Sequence, residues 1–368
     1  MTTKSMRRMR GAGVAAATAA LALLLAGCAG TTPAATTTTP APGTGSTGAA
    51  SASPTPTGTP TAASAPTVRV PATCDELQPV PAGFTPVETQ PTGDSPADYA
   101  AARAGVLQCA YSDAANVTLT FSVTPDVSAE DYSATADGVD FGPLPAAPAI
   151  GPDAREECPL SSRADLCQFI DLENGYGITA TAYSGDQGTA LPADVVDGFA
   201  AAVPQLAAAV TALGAPEPLW HPSGADLPGA VGCENLISDA RLNEILGTTK
   251  ASAFKTDDGE YARFPFRVSK QVGSEWCLWG SETDAGAGAS VLPGGASYLP
   301  AAMAASERYD WQPAPEYPGE AYIATQEGSP QSTVDLAIDD AWVQVSGPVE
   351  VLPALVDEVL GNVGAVVG

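Results

Sequence analysis

The sequence predicts an α+β protein: two tandem copies of a small antiparallel-sheet domain with flanking helices, preceded by a disordered stalk. Three observations lead there. Apolar and polar residues alternate through segments such as Val117–Val123, and turn residues join neighbouring segments into hairpins. Helical stretches open on Leu-Pro-Ala after those hairpins, with proline at a tolerated first position. The same landmarks then recur in the same order in the second half of the 368-residue chain, whose length suggests about two domains.

The chain begins with a basic stretch (Lys4, Arg7, Arg8, Arg10), followed by an apolar run from Gly11 to Ala26. That pattern reads as a secretory signal peptide, residues 1–27. The run is shorter than the ~20 residues a membrane-spanning helix needs. Its end, Leu25-Ala26-Gly27-Cys28, resembles the lipobox of bacterial lipoproteins. The resemblance implies that Cys28 becomes the first mature residue and carries lipid, palmitate among its expected acyl chains. Two acyl chains give stable anchoring where one is marginal.

Residues 28–68 form the expected tether. From 29 to 68 there is no Asp, Glu, Lys or Arg, and the residues are almost wholly Thr, Ala, Pro, Gly and Ser. Such a segment has nothing to bury and cannot offset the entropy of ordering. As a flexible coil its ~40 residues average roughly 35 Å end to end. Thr/Pro-rich composition also suits an O-glycosylated stalk. Signal, stalk and acidic body together resemble an actinobacterial envelope lipoprotein.

The repeat organises the remainder into a first domain over 69–214, a linker over 215–230 and a second domain over 231–368. Cys74-Asp75-Glu76-Leu77 is answered by Cys233-Glu234-Asn235-Leu236. Cys109 with Tyr111 is answered by Cys277 with Trp279, and Leu191-Pro192-Ala193 by Leu352-Pro353-Ala354. With Cys28 lipidated, six cysteines remain, an even number in an exported protein. The repeat pairs Cys74 with Cys109 and Cys233 with Cys277. Cys158 and Cys167, nine residues apart and without counterparts, are expected to close a local loop. All six read as structural staples.

Ala164–Leu172 and Tyr176–Tyr183 flank Asn174-Gly175, a hairpin turn signal. Val334–Ile338 and Ala341–Val345 flank Asp339-Asp340 in the same way. Helices are expected over about 192–213, kinked or split at Pro204, and over about 353–363. A short amphipathic helix carrying Ile237, Leu242, Ile245 and Leu246 should be capped by Ser238 or Asp239 and stopped by Gly247. Pro79 and Pro81 shorten any equivalent in the first copy.

Cys233, Leu236, Gly247, Cys277 and Trp279, in that order, resemble the small sensor-type lipoprotein domains of mycobacteria and their relatives. The resemblance implies a fold and a location. It carries no active residues with it.

Fifteen Lys and Arg face 42 Asp and Glu, a net charge of -27, and losing four basic groups with the signal peptide takes it to about -31. That sign repels nucleic acid and anionic lipid. A single histidine, His221, argues against most zinc sites and a Ser-His-Asp triad. Ser252 and Lys255 have the spacing of penicillin-recognising enzymes, but the partner motifs are missing. Asp257, Asp258 and Glu260 lack the alternation of a tight calcium loop. The glycine-rich stretch 284–290 lacks the third glycine of a dinucleotide fingerprint. Most of the five tryptophans are expected in the core. The Pro-broken aromatic stretch 306–318 reads as a binding loop, with Tyr309, Trp311 and Tyr317 as its contact residues.

The functional expectation is a monomeric, non-enzymatic ligand-binding or sensing module, held outside the cytoplasmic membrane and using no cofactor or metal. Its partner would be a small molecule or an envelope protein, never nucleic acid. Two alternatives stay open: a carboxylate-based envelope hydrolase, whose acid would show a raised pKa in a pocket, and a structural accessory docking to another envelope protein.

Overall fold

The computed structural model describes residues 67–364, apart from 79–80, 90, 92, 138–142, 187, 222–226, 228–231, 250, 254–264, 281–285 and 326–328. The signal peptide, Cys28, the tether up to residue 66, Lys255 and the carboxylates at 257–260 lie outside the described residues.

The first sheet holds β1 (Phe84–Val87), β2 (Leu107–Asp113), β3 (Val117–Thr124), β4 (Arg155–Glu157), β5 (Leu166–Glu173) and β6 (Tyr176–Ser184), in the spatial order β1-β2-β3-β6-β5-β4. The second holds β7 (Ser252–Ala253), β8 (Glu275–Gly280), β9 (Ala287–Leu292), β10 (Gln312–Pro313), β11 (Glu320–Thr325), β12 (Gln331–Ile338) and β13 (Ala341–Pro348). Its order is β7-β8-β9-β13-β12-β11-β10, and every pairing in both sheets is antiparallel. Strand for strand the two orders coincide, with β10 added at one edge of the second sheet. The duplication seen in the cysteine landmarks is therefore a duplication of topology.

The helices repeat too. The first copy carries α1 (Cys74–Leu77), α2 (Ala100–Arg103), α3 (Ala129–Asp137) and α4 (Ala193–Thr211); the second carries α5 (Cys233–Leu236), α6 (Asp239–Leu246), α7 (Val268–Gln271), α8 (Leu299–Ala305) and α9 (Leu352–Val363). No sequence signal marks α2, α3, α7 or α8. Ser238 is the cap of α6, accepting from the Arg241 N–H at 3.3 Å, and Gly247 ends it in the left-handed region at φ 63°. Gly105 and Gly273 stand at φ 72° and 65°, each four residues ahead of the second cysteine of its copy. At both places the chain makes the same left-handed turn into a strand.

Local chemistry explains the strands. In β3 every second side chain is buried, as the alternation predicts. The β5–β6 hairpin turns on Asn174 and Gly175, both with positive φ, at 52° and 82°. One face of the first sheet buries Tyr111, Phe121, Phe169 and Ile178 against α1 and α4. The corresponding face of the second buries Trp279, Val291 and Val343 against α5, α6 and α9. Cys74–Cys109 ties α1 to β2 and Cys233–Cys277 ties α5 to β8, with Cα separations of 5.8 and 5.5 Å. Cys158–Cys167 closes its local loop at 4.2 Å. These are the three pairs the repeat and spacing predict.

Of the two alternatives at Pro204, a split does not occur: α4 runs through it as one helix. Pro204 lies on its exposed side, where water can satisfy the carbonyl deprived of an N–H partner. Phe199, Val203, Leu206 and Val210 hold the helix to the sheet on the other side, so packing outweighs the local cost.

The opposite copy reaches onto the other face of each sheet. Ahead of β2, Tyr99 reaches onto the second sheet, with its ring centroid 5.3 Å from both Tyr298 and Trp342. Ala100, Ala101 and Ala104 follow it into a cluster with Leu292, Leu299 and Ala302. Ahead of β8, Phe266 makes the reciprocal reach. Its ring lies 6.4 Å from Tyr132 of α3, and its N–H donates to Thr135 Oγ1 at 2.8 Å. Gly177 leaves room for that ring: a Cβ there would sit 2.7 Å from it. The linker joins the same seam. The Glu217 N–H donates to the Arg69 carbonyl at 3.3 Å, and the Arg103 guanidinium lies 4.5 Å over Trp220 while donating to the Pro293 carbonyl at 3.0 Å. All described residues consequently belong to one compact unit.

Candidate functional site

The second sheet's outer face carries a cavity of about 340 Å³. Strand register builds it. Gln344 of β13 lies opposite Ser290 on one side and Asp335 on the other, and Ser290 lies opposite Trp276. The next row sets Ser346 opposite Gly288 and Thr333, with Leu278 beyond Gly288. Directly opposed residues point to the same face, so these two rows form a polar floor. The row beyond them, Leu292, Trp342 and Ala337, is apolar and lies under the Tyr99 cluster. Gly288 keeps the floor deep: a Cβ there would stand 2.7 Å from Ser346 Oγ.

The walls come from elsewhere in the chain. Arg308 and Tyr309 close one side, and Asp94 and Ser95 of the first copy close another. The Gln344 amide donates to the Asp94 carbonyl at 2.6 Å and to Asp335 Oδ1 at 3.0 Å. Trp342 Nε1 donates to the same carboxylate oxygen at 2.9 Å. Both N–H groups of Gln344 are thereby used, which leaves its carbonyl oxygen as the group it can offer. Asp335 is 1% exposed and does not line the cavity. Burial pushes its carboxyl up to about 7, the Asp94 charge adds to the rise, and the donors from Trp342 and Gln344 oppose it. The first copy has one comparable group: Asp171, pushed up to about 6 by burial, fully buried on the core side of its sheet.

The three residues expected in the binding loop part company. Tyr309 lines the cavity, with the Arg308 guanidinium 5.0 Å from its ring. Trp311 backs Tyr309 at 5.1 Å without reaching the cavity. Tyr317 is a correction. Its ring packs against the second copy's core, because the chain turns at Ala314, whose carbonyl accepts from the Tyr317 N–H at 3.1 Å. Of the five tryptophans only Trp279 and Trp342 are fully buried, the other three being half-buried, against the expectation that most lie in the core. Trp220 sits at the seam between the copies and Trp276 in the cavity, neither of which the sequence reveals, and Trp311 stands behind Tyr309.

The remaining candidates are placed simply. Ser252 begins the edge strand β7. Asp339 and Asp340 form the β12–β13 turn, with Asp339 at φ 51°. His221 is exposed at the end of the described part of the linker. Cys233, Glu275 and Cys277 gather three potential metal donors, but the two sulfurs are bonded to each other and are not thiolate ligands.

Ser290, Thr333, Gln344 and Ser346 carry no signal in the sequence that marks them as cavity residues. No family model, curated protein or solved structure matches the chain.

Proposed function

We propose that the chain is an exported lipoprotein, anchored through Cys28, whose folded part is a non-enzymatic module binding a small ligand in the second sheet's outer cavity. The observation that carries this reading is the cavity itself. It is concave, roofed by two separate segments, and lined by hydroxyls, amides and two aromatic rings. A shaped pocket in which polar groups converge is the make-up of a binding site. Among the described residues three carboxyl groups have a raised pKa: Asp335 and Asp171 are sealed within the protein, and Glu156, half-buried on β4 of the first sheet, does not line the cavity. None of them reaches a glycosidic oxygen held in the cavity, so the geometry there favours binding over the hydrolase alternative.

Native mass spectrometry on residues 61–368, exported with disulfides formed and incubated with envelope extract, tests the binding reading. A discrete added mass, absent from a Tyr309→Ala variant, is the expected result. A shortened extract component with no added mass would overturn it in favour of hydrolysis. The anchor has its own test: Cys28→Ala is expected to move the protein from the membrane fraction to the soluble fraction, and retention in the membrane would sink the lipid assignment.

A further inference from the structure

We infer that the cavity takes a neutral, polyhydroxylated ring ligand, the chemical class of a short uncharged oligosaccharide. This rests on the binding reading above and adds the chemistry of what is bound.

The charge of the lining is the first argument. In a chain with 42 acidic groups against 15 basic ones, the cavity carries one of each, Asp94 and Arg308. A strongly anionic ligand would want an excess of Arg and Lys, and a cation would want several carboxylates. Neither is present. The floor instead offers Thr333, Ser346 and the amide of Gln331, groups that donate and accept without charge, together with the carbonyl oxygen of Gln344 as an acceptor. A ligand rich in hydroxyls, each both donor and acceptor, matches that set.

The strands supply the second argument. The floor spans β8, β9, β13 and β12, which are all interior to the sheet. Through the floor β9, β13 and β12 are paired on both sides, while β7 covers β8 only at Trp279 and Gly280. An extended peptide recognised by strand addition needs an open edge, so recognition over β9, β13 and β12 must pass through side chains. The third argument is shape. Tyr309 and Trp276 set aromatic faces beside the polar floor, and a sugar ring presents an apolar C–H face together with its hydroxyls. About 340 Å³ lies at the small end of ligand pockets, which suits one or two rings held within a longer chain. Burying the Thr333 hydroxyl opposite an apolar ligand would leave it unpaired, and sites of this kind reject such ligands strongly.

The test is calorimetric titration of residues 61–368 with maltotriose, chitotriose and mannotriose as neutral probes, trigalacturonate as the anionic one and dodecanoate as the apolar one. At least one neutral trisaccharide is expected to bind with 1:1 stoichiometry. Thr333→Val, which keeps shape and removes the hydroxyl, should weaken it about tenfold, and Tyr309→Ala by about tenfold or more. Ser346→Ala is the second hydroxyl deletion, should Thr333→Val fail to fold; circular dichroism checks each variant. Failure of all three neutral probes at about 10 mM, roughly the weak limit of useful affinity, overturns the inference. Binding of a neutral probe that neither substitution weakens also overturns it, since the site would lie elsewhere. Tyr309-dependent binding of trigalacturonate or dodecanoate alone overturns it as well, while leaving the cavity a binding site.

Discussion

Trp342→Ala is expected to destabilise the folded protein by about 5 kcal/mol, the combined scale of emptying a tryptophan site and removing a donor from a buried carboxylate. Trp342 is fully buried on the second sheet's outer face. Its ring lies beneath Tyr99, which belongs to the other copy. Its indole N–H donates to Asp335 Oδ1, and Asp335 Oδ2 has no hydrogen-bond partner among the described residues. Deletion would therefore open a cavity in the seam between the copies and leave the carboxylate more poorly satisfied. Trp342→Phe separates the two effects: it keeps most of the packing, loses the donor, and should cost about 2 kcal/mol. Domain stabilities are typically about 5–15 kcal/mol, so the alanine variant loses a large share of the total. Urea unfolding at neutral pH gives both numbers. A loss under about 1 kcal/mol for the alanine variant would mean that the two copies hold together without this seam.

That seam was not legible in the sequence, and the reason is physical. Cysteine pairing, hairpin turns and strand alternation are short-range patterns, and two copies of each pattern allow one to interpret the other. Asn174-Gly175 announces its turn because few residue pairs adopt positive φ together. The contact of Tyr99 with Trp342 joins residues separated by most of the chain, and no local pattern records it. Residues 96–104 are alanine-rich. Those small side chains are what allow the segment to approach the second sheet closely, a meaning that appears once the sheet is present.

The cavity was legible by half. Proline and aromatic residues marked the stretch that delivers Tyr309, but the same signal covered Tyr317, because an aromatic ring in a broken loop packs inward as readily as it lines a pocket. The floor gave no signal. Thr333, Gln344 and Ser346 alternate with Val334, Val343 and Val345 as any solvated sheet face would. A face wet by bulk water and a face lining a polar cavity place the same demand on residue type. What distinguishes them is the roof, and its two walls come from residues 94–95 and 308–309.

Stability should fall as pH rises from about 4 to about 7, and Asp335→Asn should remove most of that slope. Burial holds the Asp335 carboxyl at about 7 in the folded protein, whereas an unfolded chain exposes an aspartate near 3.9. Between those values the folded state binds the proton and the unfolded state does not, so unfolding releases it and becomes easier as pH rises. The difference amounts to about 4 kcal/mol once pH passes 7. Asp171, held at about 6 by burial, adds to the slope with the same sign. Asp165 works the other way: its hydrogen bonds to Arg163 hold its carboxyl well below the usual range. Its contribution is lost only as pH falls below the carboxylate range, outside this window. Asparagine at 335 keeps an oxygen able to accept from Trp342 and Gln344 and carries no charge. The variant should match the parent at pH 4.5 and exceed it by a few kcal/mol at pH 8, by the same linkage. Urea midpoints at the two pH values decide the matter. Equal slopes for parent and variant would place Asp335 outside the titration, and a variant weaker at pH 8 would show that the ionised carboxylate, despite its burial, stabilises the floor on which Gln344 rests.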